Sequence, residues 1–137
     1  MKKIILLFSL LLSLVSCSNA QNKQSQSSNN SDVLEVMYFH GKQRCMTCLA
    51  IESLTTEVLN ADYAQQVNNG KIVYKVIDIS TEEGEKIADR YEVTWSSLIL
   101  DKNGKAVNLT DMAFSYARSQ PEVFKAKLKE EINNNLK

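Results

Sequence analysis

Blocks of apolar and polar residues alternate along this chain, and they predict where its strands and helices lie. Positions 33–39 are almost all apolar, as in a strand that is covered on both faces. Between 45 and 67 the apolar residues recur every three to four positions, which is the spacing of a helix with one buried side. Positions 71–79 are rich in β-branched residues and favour a second buried strand.

Two further helices are marked by residues that favour a helix start. Thr81 is predicted to cap a short helix that runs to about Tyr91, because its hydroxyl can accept a hydrogen bond from a free N–H of the first turn. Ser119 is predicted to cap the last helix, with Pro121 in its first turn.

A hairpin completes the predicted sheet. Positions 97–100 form a third strand and 106–109 a fourth, joined by Asn103-Gly104, a pair that accepts the positive φ of a tight turn. The element order is therefore β-α-β-α-β-β-α. Since the first three strands alternate with helices, we expect them to pair in parallel through right-handed crossovers, with the hairpin adding an antiparallel edge. This is an α/β class with a four-stranded mixed sheet.

The N-terminus carries a compartment signal. An apolar run over 4–15 follows a basic start, and it is shorter than the roughly 20 apolar residues that a bilayer-spanning helix needs. The run ends in Leu14-Val15-Ser16-Cys17, which resembles the lipobox of bacterial lipoproteins. The resemblance implies that 1–16 is a lipoprotein signal peptide and that Cys17 is lipidated. An ordinary secretory signal with a chance cysteine is the alternative.

The segment after Cys17 is polar and poor in apolar side chains. It consists of Ser, Asn and Gln with few other residues, so we interpret 17–32 as the lipidated cysteine and a flexible tether, and 33–137 as one domain. This arrangement predicts a cell-envelope protein that is lipid-anchored to a membrane and faces the periplasm.

Charge excludes one class of partner. The chain has 16 basic and 16 acidic residues, and loss of Lys2 and Lys3 with the leader would make the remainder slightly acidic. A nucleic-acid-binding domain is usually basic, so we expect no nucleic-acid partner.

The cysteines carry the candidate chemistry. The chain has three cysteines, and Cys17 would be consumed by lipidation. Cys45 and Cys48 would then remain together in an oxidising compartment, where thiols tend to pair. The motif Cys45-Met46-Thr47-Cys48 follows the first strand and opens the first helix. Free N–H groups and the helix dipole at that position stabilise a thiolate.

These features predict a role for each cysteine and for the residues around it. Cys45 is predicted to be the nucleophile, and Cys48 the resolving thiol. The cation of Arg44 and the nearby His40 would lower the thiol pKa further. Met46 and Thr47, between the two cysteines, would influence the reduction potential.

The motif placement, the element order and the run over 91–104 resemble the thioredoxin superfamily, over positions 33–136. The resemblance implies a three-layer α/β/α fold and thiol–disulfide exchange without a cofactor. Ser96, or else Ser97, stands where thioredoxins have a cis-proline facing the cysteines, and Trp95 would line the same site. Met37 matches the position of a buried acid, for which His40 is the nearest substitute.

Two functions of different classes follow. The first is a membrane-anchored thiol–disulfide oxidoreductase that acts on protein thiols or disulfides, with a dedicated redox partner. The second is a non-catalytic binding module in which Cys45 and Cys48 form a structural disulfide or bind metal. A zinc site needs four ligands, and these two thiols with His40 supply three at most, so a metal would have to be shared between two copies.

Overall fold

The computed structural model describes residues 32–137, so the signal peptide, the lipidation of Cys17 and nearly all of the tether lie outside the described residues. The strands and helices follow in chain order: β1 Leu34–His40, α1 Met46–Asp62, α2 Ala64–Asn68, β2 Ile72–Asp78, α3 Glu82–Arg90, β3 Ser97–Lys102, β4 Lys105–Asn108, α4 Thr110–Tyr116 and α5 Pro121–Leu136. No helix in this part of the chain has both the length and the apolarity to cross a membrane.

The four strands form one mixed sheet in the order β2-β1-β3-β4. β1 pairs in parallel with β2 and antiparallel with β3, and β4 is antiparallel to β3. The expectation that the first three strands are all parallel is therefore wrong for β3. Ser97, the first residue of β3, lies opposite Phe39 near the end of β1. The chain after β2 thus returns to the end of the sheet where β1 finishes, and β3 must run backwards.

Helices cover both faces of the sheet, and this produces the predicted three layers. On one face, Val36 and Tyr38 of β1 pack in a cluster with apolar residues of α1, α4 and α5. On the other face, Met37 and Phe39 pack with Ala88 of α3. β1 is buried on both sides, which explains its nearly continuous apolar sequence. The thioredoxin-like α/β fold class is confirmed.

One predicted helix start and one predicted turn are confirmed by the local geometry. The Thr81 side chain accepts a hydrogen bond from the Gly84 N–H at 3.0 Å and caps α3. The β3–β4 turn has positive φ at Asn103 (59°) and Gly104 (77°).

The first predicted helix is interrupted at Tyr63. That residue has φ −127° and ψ 18°, outside the helical region, so α1 ends at Asp62 and α2 begins at Ala64. The Tyr63 hydroxyl donates to the Lys129 carbonyl at 3.1 Å and lies 2.9 Å from Oδ1 of Asn133, both on α5. This long-range contact is made where the helix breaks, and the local apolar pattern does not reveal it.

The C-terminal region differs from the prediction in two ways. α4 was not predicted, and the N-cap of α5 is Gln120 rather than Ser119. The Ser119 hydroxyl instead donates back to the Ser115 carbonyl at 3.0 Å. Pro121 does occupy the first turn of α5, where its missing N–H costs no hydrogen bond.

A substitution at Gly84 tests how closely α3 packs against the end of β2. Gly84 is buried, and a Cβ there would collide with the backbone carbonyl of Asp78 at the end of β2. We expect Gly84→Ala to lower the free energy of unfolding by about 1–3 kcal/mol despite the better helix propensity of alanine. Urea unfolding of the purified domain measures it. Gly41→Ala, which meets nothing within 4 Å, is the matched control and should not be destabilised.

Candidate functional site

Cys45 and Cys48 lie at the start of α1 and form a disulfide, with their Cα atoms 5.1 Å apart. Cys45 is the N-cap residue, with extended backbone (φ −77°, ψ 164°). Its sulfur accepts a hydrogen bond from the Cys48 N–H at 3.1 Å, in the way a capping oxygen normally does. A thiolate at Cys45 would meet the same N–H and the positive end of the helix dipole.

The two sulfur-bearing residues differ in access to solvent. Cys45 is exposed, whereas Cys48 is buried, with 5% of its surface accessible. Attack by an external thiolate, or attack on an external disulfide, is therefore open to Cys45 and closed to Cys48. This asymmetry fits the order of events that an exchange reaction requires.

Tyr38 is a site residue that the sequence argument missed. It is fully buried on β1, and its hydroxyl donates to the Cys48 carbonyl at 2.8 Å. Burial raises the pKa of Tyr38, and the neighbouring Arg44 and Ser96 side chains oppose that rise. Met37, the position compared with a buried acid, packs in the cluster on the opposite face with Phe39. The polar side chain of β1 that lies beneath the cysteines is thus the neutral phenol of Tyr38.

Arg44 is bound in place rather than solvated. Its guanidinium forms an ion pair with Glu52 of α1 and lies 5.7 Å from the centroid of the Tyr38 ring. Its Nε is buried and has no hydrogen-bond partner among the described residues. The charge of Arg44 is therefore fixed beside the cysteine that follows it.

His40 ends β1 and is half-buried. Its Nδ1 lies 3.1 Å from the Gly41 carbonyl, to which it donates when protonated there. In the sheet register His40 is opposite Asp78. The pKa of Asp78 is lowered, first by the hydroxyl and N–H of Ser80 and to a smaller extent by the charge of His40. The structure places His40 opposite an acid at the end of β1, with no hydrogen bond to either sulfur.

Two large apolar side chains of α1, which follow Cys45 closely in the sequence, are exposed to solvent. Met46 is 67% exposed and Leu49 44% exposed, while Thr47 between them is half-buried. The surface next to the disulfide in α1 is therefore partly apolar.

Trp95 and Ser96 precede β3. The Trp95 indole is 55% exposed and packs on Phe114 of the unpredicted α4, with ring centroids 5.1 Å apart. Ser96 is buried with its hydroxyl near that of Tyr38. The Ser97 hydroxyl donates to the Trp95 carbonyl at 3.1 Å. Of the two serines, Ser96 is thus the one connected to the disulfide, through Tyr38.

An open polar groove adjoins Trp95. Its volume is about 340 Å³, and it is lined by Glu92, Val93, Trp95, Ser97, Asn108, Thr110 and Asp111. Residues 32–137 contain no group of three or more His, Cys, Asp or Glu side chains placed to hold one metal ion.

Three solved structures resemble the chain at low similarity. A Fasciola hepatica thioredoxin matches with TM-score 0.48 and 22% identity, covering 76% of this chain and 82% of its own. A malarial protein matches with TM-score 0.46 and 18% identity, covering 69% and 96%. A Thermus thermophilus thioredoxin matches with TM-score 0.34 and 21% identity, covering 56% and 58%. No protein-family model and no curated protein matches the chain.

The fold class rests on the element order and strand pairing of the chain itself. Together with the disulfide at the start of α1, they define a thioredoxin-like domain with a Cys-x-x-Cys pair.

The unequal exposure of the two cysteines predicts unequal reactivity. After reduction, we expect iodoacetamide to alkylate Cys45 at least tenfold faster than Cys48, because only Cys45 is presented to solvent as a helix-capping thiolate. Peptide mass spectrometry over a time course measures both rates. Equal rates in the folded protein would contradict this description of the site.

Proposed function

We propose that this protein is an envelope thiol–disulfide oxidoreductase, anchored by a lipid at Cys17 and acting on protein partners. The observation that carries the proposal is the Cys45–Cys48 disulfide at the N-terminus of α1, with Cys45 exposed and Cys48 buried. A structural bridge gains little from closing so short a loop and does not need one exposed cysteine.

The proposed exchange takes place in two displacement steps. The Cys45 thiolate attacks a partner disulfide, so that a Cys45–partner bond forms and the other partner sulfur leaves as a thiolate that takes up a proton. Cys48 then gives up its proton and attacks the Cys45 sulfur, which forms the internal disulfide and expels the second partner thiolate. Two electrons pass to the partner, and the reverse sequence oxidises a partner dithiol.

A protein is the favoured partner because of the surface around Cys45. Met46, Leu49 and Trp95 expose apolar area of the kind that protein interfaces bury, and Trp and Met are enriched in such interfaces. The buried Ser96 follows Trp95 directly, so a partner that contacts this tryptophan would lie close to the residues around the disulfide.

Cysteine variants test the reaction. We expect Cys48→Ser to accumulate mixed disulfides with partner proteins, because the first step proceeds and the resolving step cannot. Cys45→Ser should accumulate none, since Cys48 is buried and Cys17 would carry the lipid. The measurement is non-reducing electrophoresis of acid-quenched cells followed by mass spectrometry.

The potential of the unmodified pair separates exchange from structure. In graded glutathione buffers we expect reversible reduction at a potential between about −120 and −270 mV, the span of known exchange proteins. A pair that stays oxidised far below that span, combined with no adduct for Cys48→Ser, would show that the disulfide is structural.

The anchor is tested at Cys17. We expect Cys17→Ser to move the protein from the membrane fraction to the soluble fraction, because two or more acyl chains hold firmly at about 0.8 kcal/mol per buried CH₂. Fractionation with incorporation of labelled fatty acid measures it. If the unmodified protein stays in the membrane fraction but incorporates no labelled fatty acid, the lipid anchor is refuted and the exchange reaction is left open.

A further inference from the structure

An ion pair joins the residue before the disulfide to a residue of α1 that follows it. The Arg44 guanidinium and the Glu52 carboxylate are in contact, with side chains only 24% and 29% exposed. Arg44 directly precedes Cys45, and Glu52 lies one helical turn after Cys48, on the same face of α1. Opposite charges therefore flank the redox pair in the sequence, and they form an ion pair with each other.

Tyr38 supports this ion pair from below. Its ring lies beneath the Arg44 guanidinium, and its hydroxyl holds the Cys48 carbonyl at 2.8 Å. Arg44 is thus restrained by two independent groups, an aromatic face on β1 and a carboxylate on α1. Loss of the carboxylate would leave the cation over the ring, since a guanidinium is attracted to an aromatic face.

We propose that Glu52 is a positioning residue that sets the reduction potential of the Cys45–Cys48 pair by offsetting the charge of Arg44, which the Tyr38 ring also restrains. This inference rests on the proposed redox function, because the potential matters only if the pair is exchanged. Glu52 has no place in the two displacement steps and acts on the sulfurs through Arg44.

The direction of the effect follows from the reduced state. Reduction adds two electrons and one proton to the disulfide when Cys45 remains a thiolate and Cys48 becomes a thiol. The Arg44 cation stabilises that thiolate, while the Glu52 anion opposes it. Removing the anion lowers the pKa of Cys45, stabilises the reduced form and makes the pair more oxidising.

The experiment uses reduced glutathione as electron donor, which is converted to its disulfide. For Glu52→Gln we expect the equilibrium constant for reduction to rise about two- to fivefold, as for loss of a unit charge in well-screened surroundings. The pKa of Cys45, followed by thiolate absorbance, should fall with it. Arg44→Gln should shift both quantities in the opposite direction.

Glu57→Gln is the matched control. Glu57 is on the same helix and also forms an ion pair, with Lys125 at 2.8 Å, but it lies more than one turn further from the cysteines. Glu57→Gln makes the same chemical change as Glu52→Gln. We expect it to leave the reduction potential of the pair and the pKa of Cys45 as they are in the unmodified protein. Glu52→Asp keeps the charge and should return both quantities toward those of the unmodified protein.

The possible results separate the two ideas. If the unmodified pair exchanges with glutathione and Glu52→Gln behaves like Glu57→Gln, the role of Glu52 is refuted and the redox function stands. If the unmodified pair does not exchange at all, the proposed function fails first. A Glu52→Gln shift that shrinks when salt is raised from about 0.01 M to about 1 M supports an electrostatic effect, since the Debye length falls from about 30 Å to about 3 Å. A shift of equal size for Glu52→Gln and for Glu52→Asp would point to altered packing instead.

Discussion

The packing of the first turn of α1 on the buried strand β1 is the contact on which the site depends. Tyr38 makes this contact specific, because its ring fills the core on the α1 face and its hydroxyl reaches the Cys48 carbonyl. A buried phenol without a partner would be costly, and a carbonyl near a helix N-terminus can accept a second hydrogen bond. The same hydrogen bond therefore gives the buried Tyr38 hydroxyl a partner and fixes the helix turn that carries both cysteines.

The polarity of the site is divided between two layers. Beneath the disulfide lie a neutral phenol and the buried Ser96, whereas Glu35, the acid of β1, is ion-paired with Lys75 of β2. The ion pair of Arg44 and Glu52 brings charge to the rim. A site arranged in this way would tune its thiolate through a restrained surface cation and a helix N-terminus rather than through a buried acid. That difference bears on proton transfer, because a phenol whose pKa burial has raised remains protonated at neutral pH.

The outer surface of α1 and of the segment before β3 includes exposed apolar side chains. Met46 and Leu49 expose apolar area on α1, and Trp95 adds an indole supported by Phe114 of α4. α4 therefore does more than connect β4 to α5, since it supplies the ring that holds Trp95 at the surface. The groove beside Trp95 carries the carboxylates of Glu92 and Asp111.

The sequence by itself determined the features that depend on neighbours in the chain. Apolar runs marked β1 and β2, Thr81 marked the start of α3, Asn103-Gly104 marked the hairpin, and the placement of Cys45 before an apolar helical repeat put a thiol at a helix N-terminus. Each of these signals is local, because it reflects the period of one element or the backbone preference of one turn.

Only the tertiary structure decided the features that join distant segments. The direction of β3 depends on which end of the sheet the chain reaches after α3, and the periodicity of neither element encodes that end. The break at Tyr63 coincides with hydrogen bonds to α5, which lies more than sixty positions away. Tyr38 resembled any buried aromatic residue of an apolar strand, and Glu52 any polar residue of a helix, until β1, α1 and the loop before Cys45 were brought together. Packing gave these two side chains their contacts with Cys48 and Arg44.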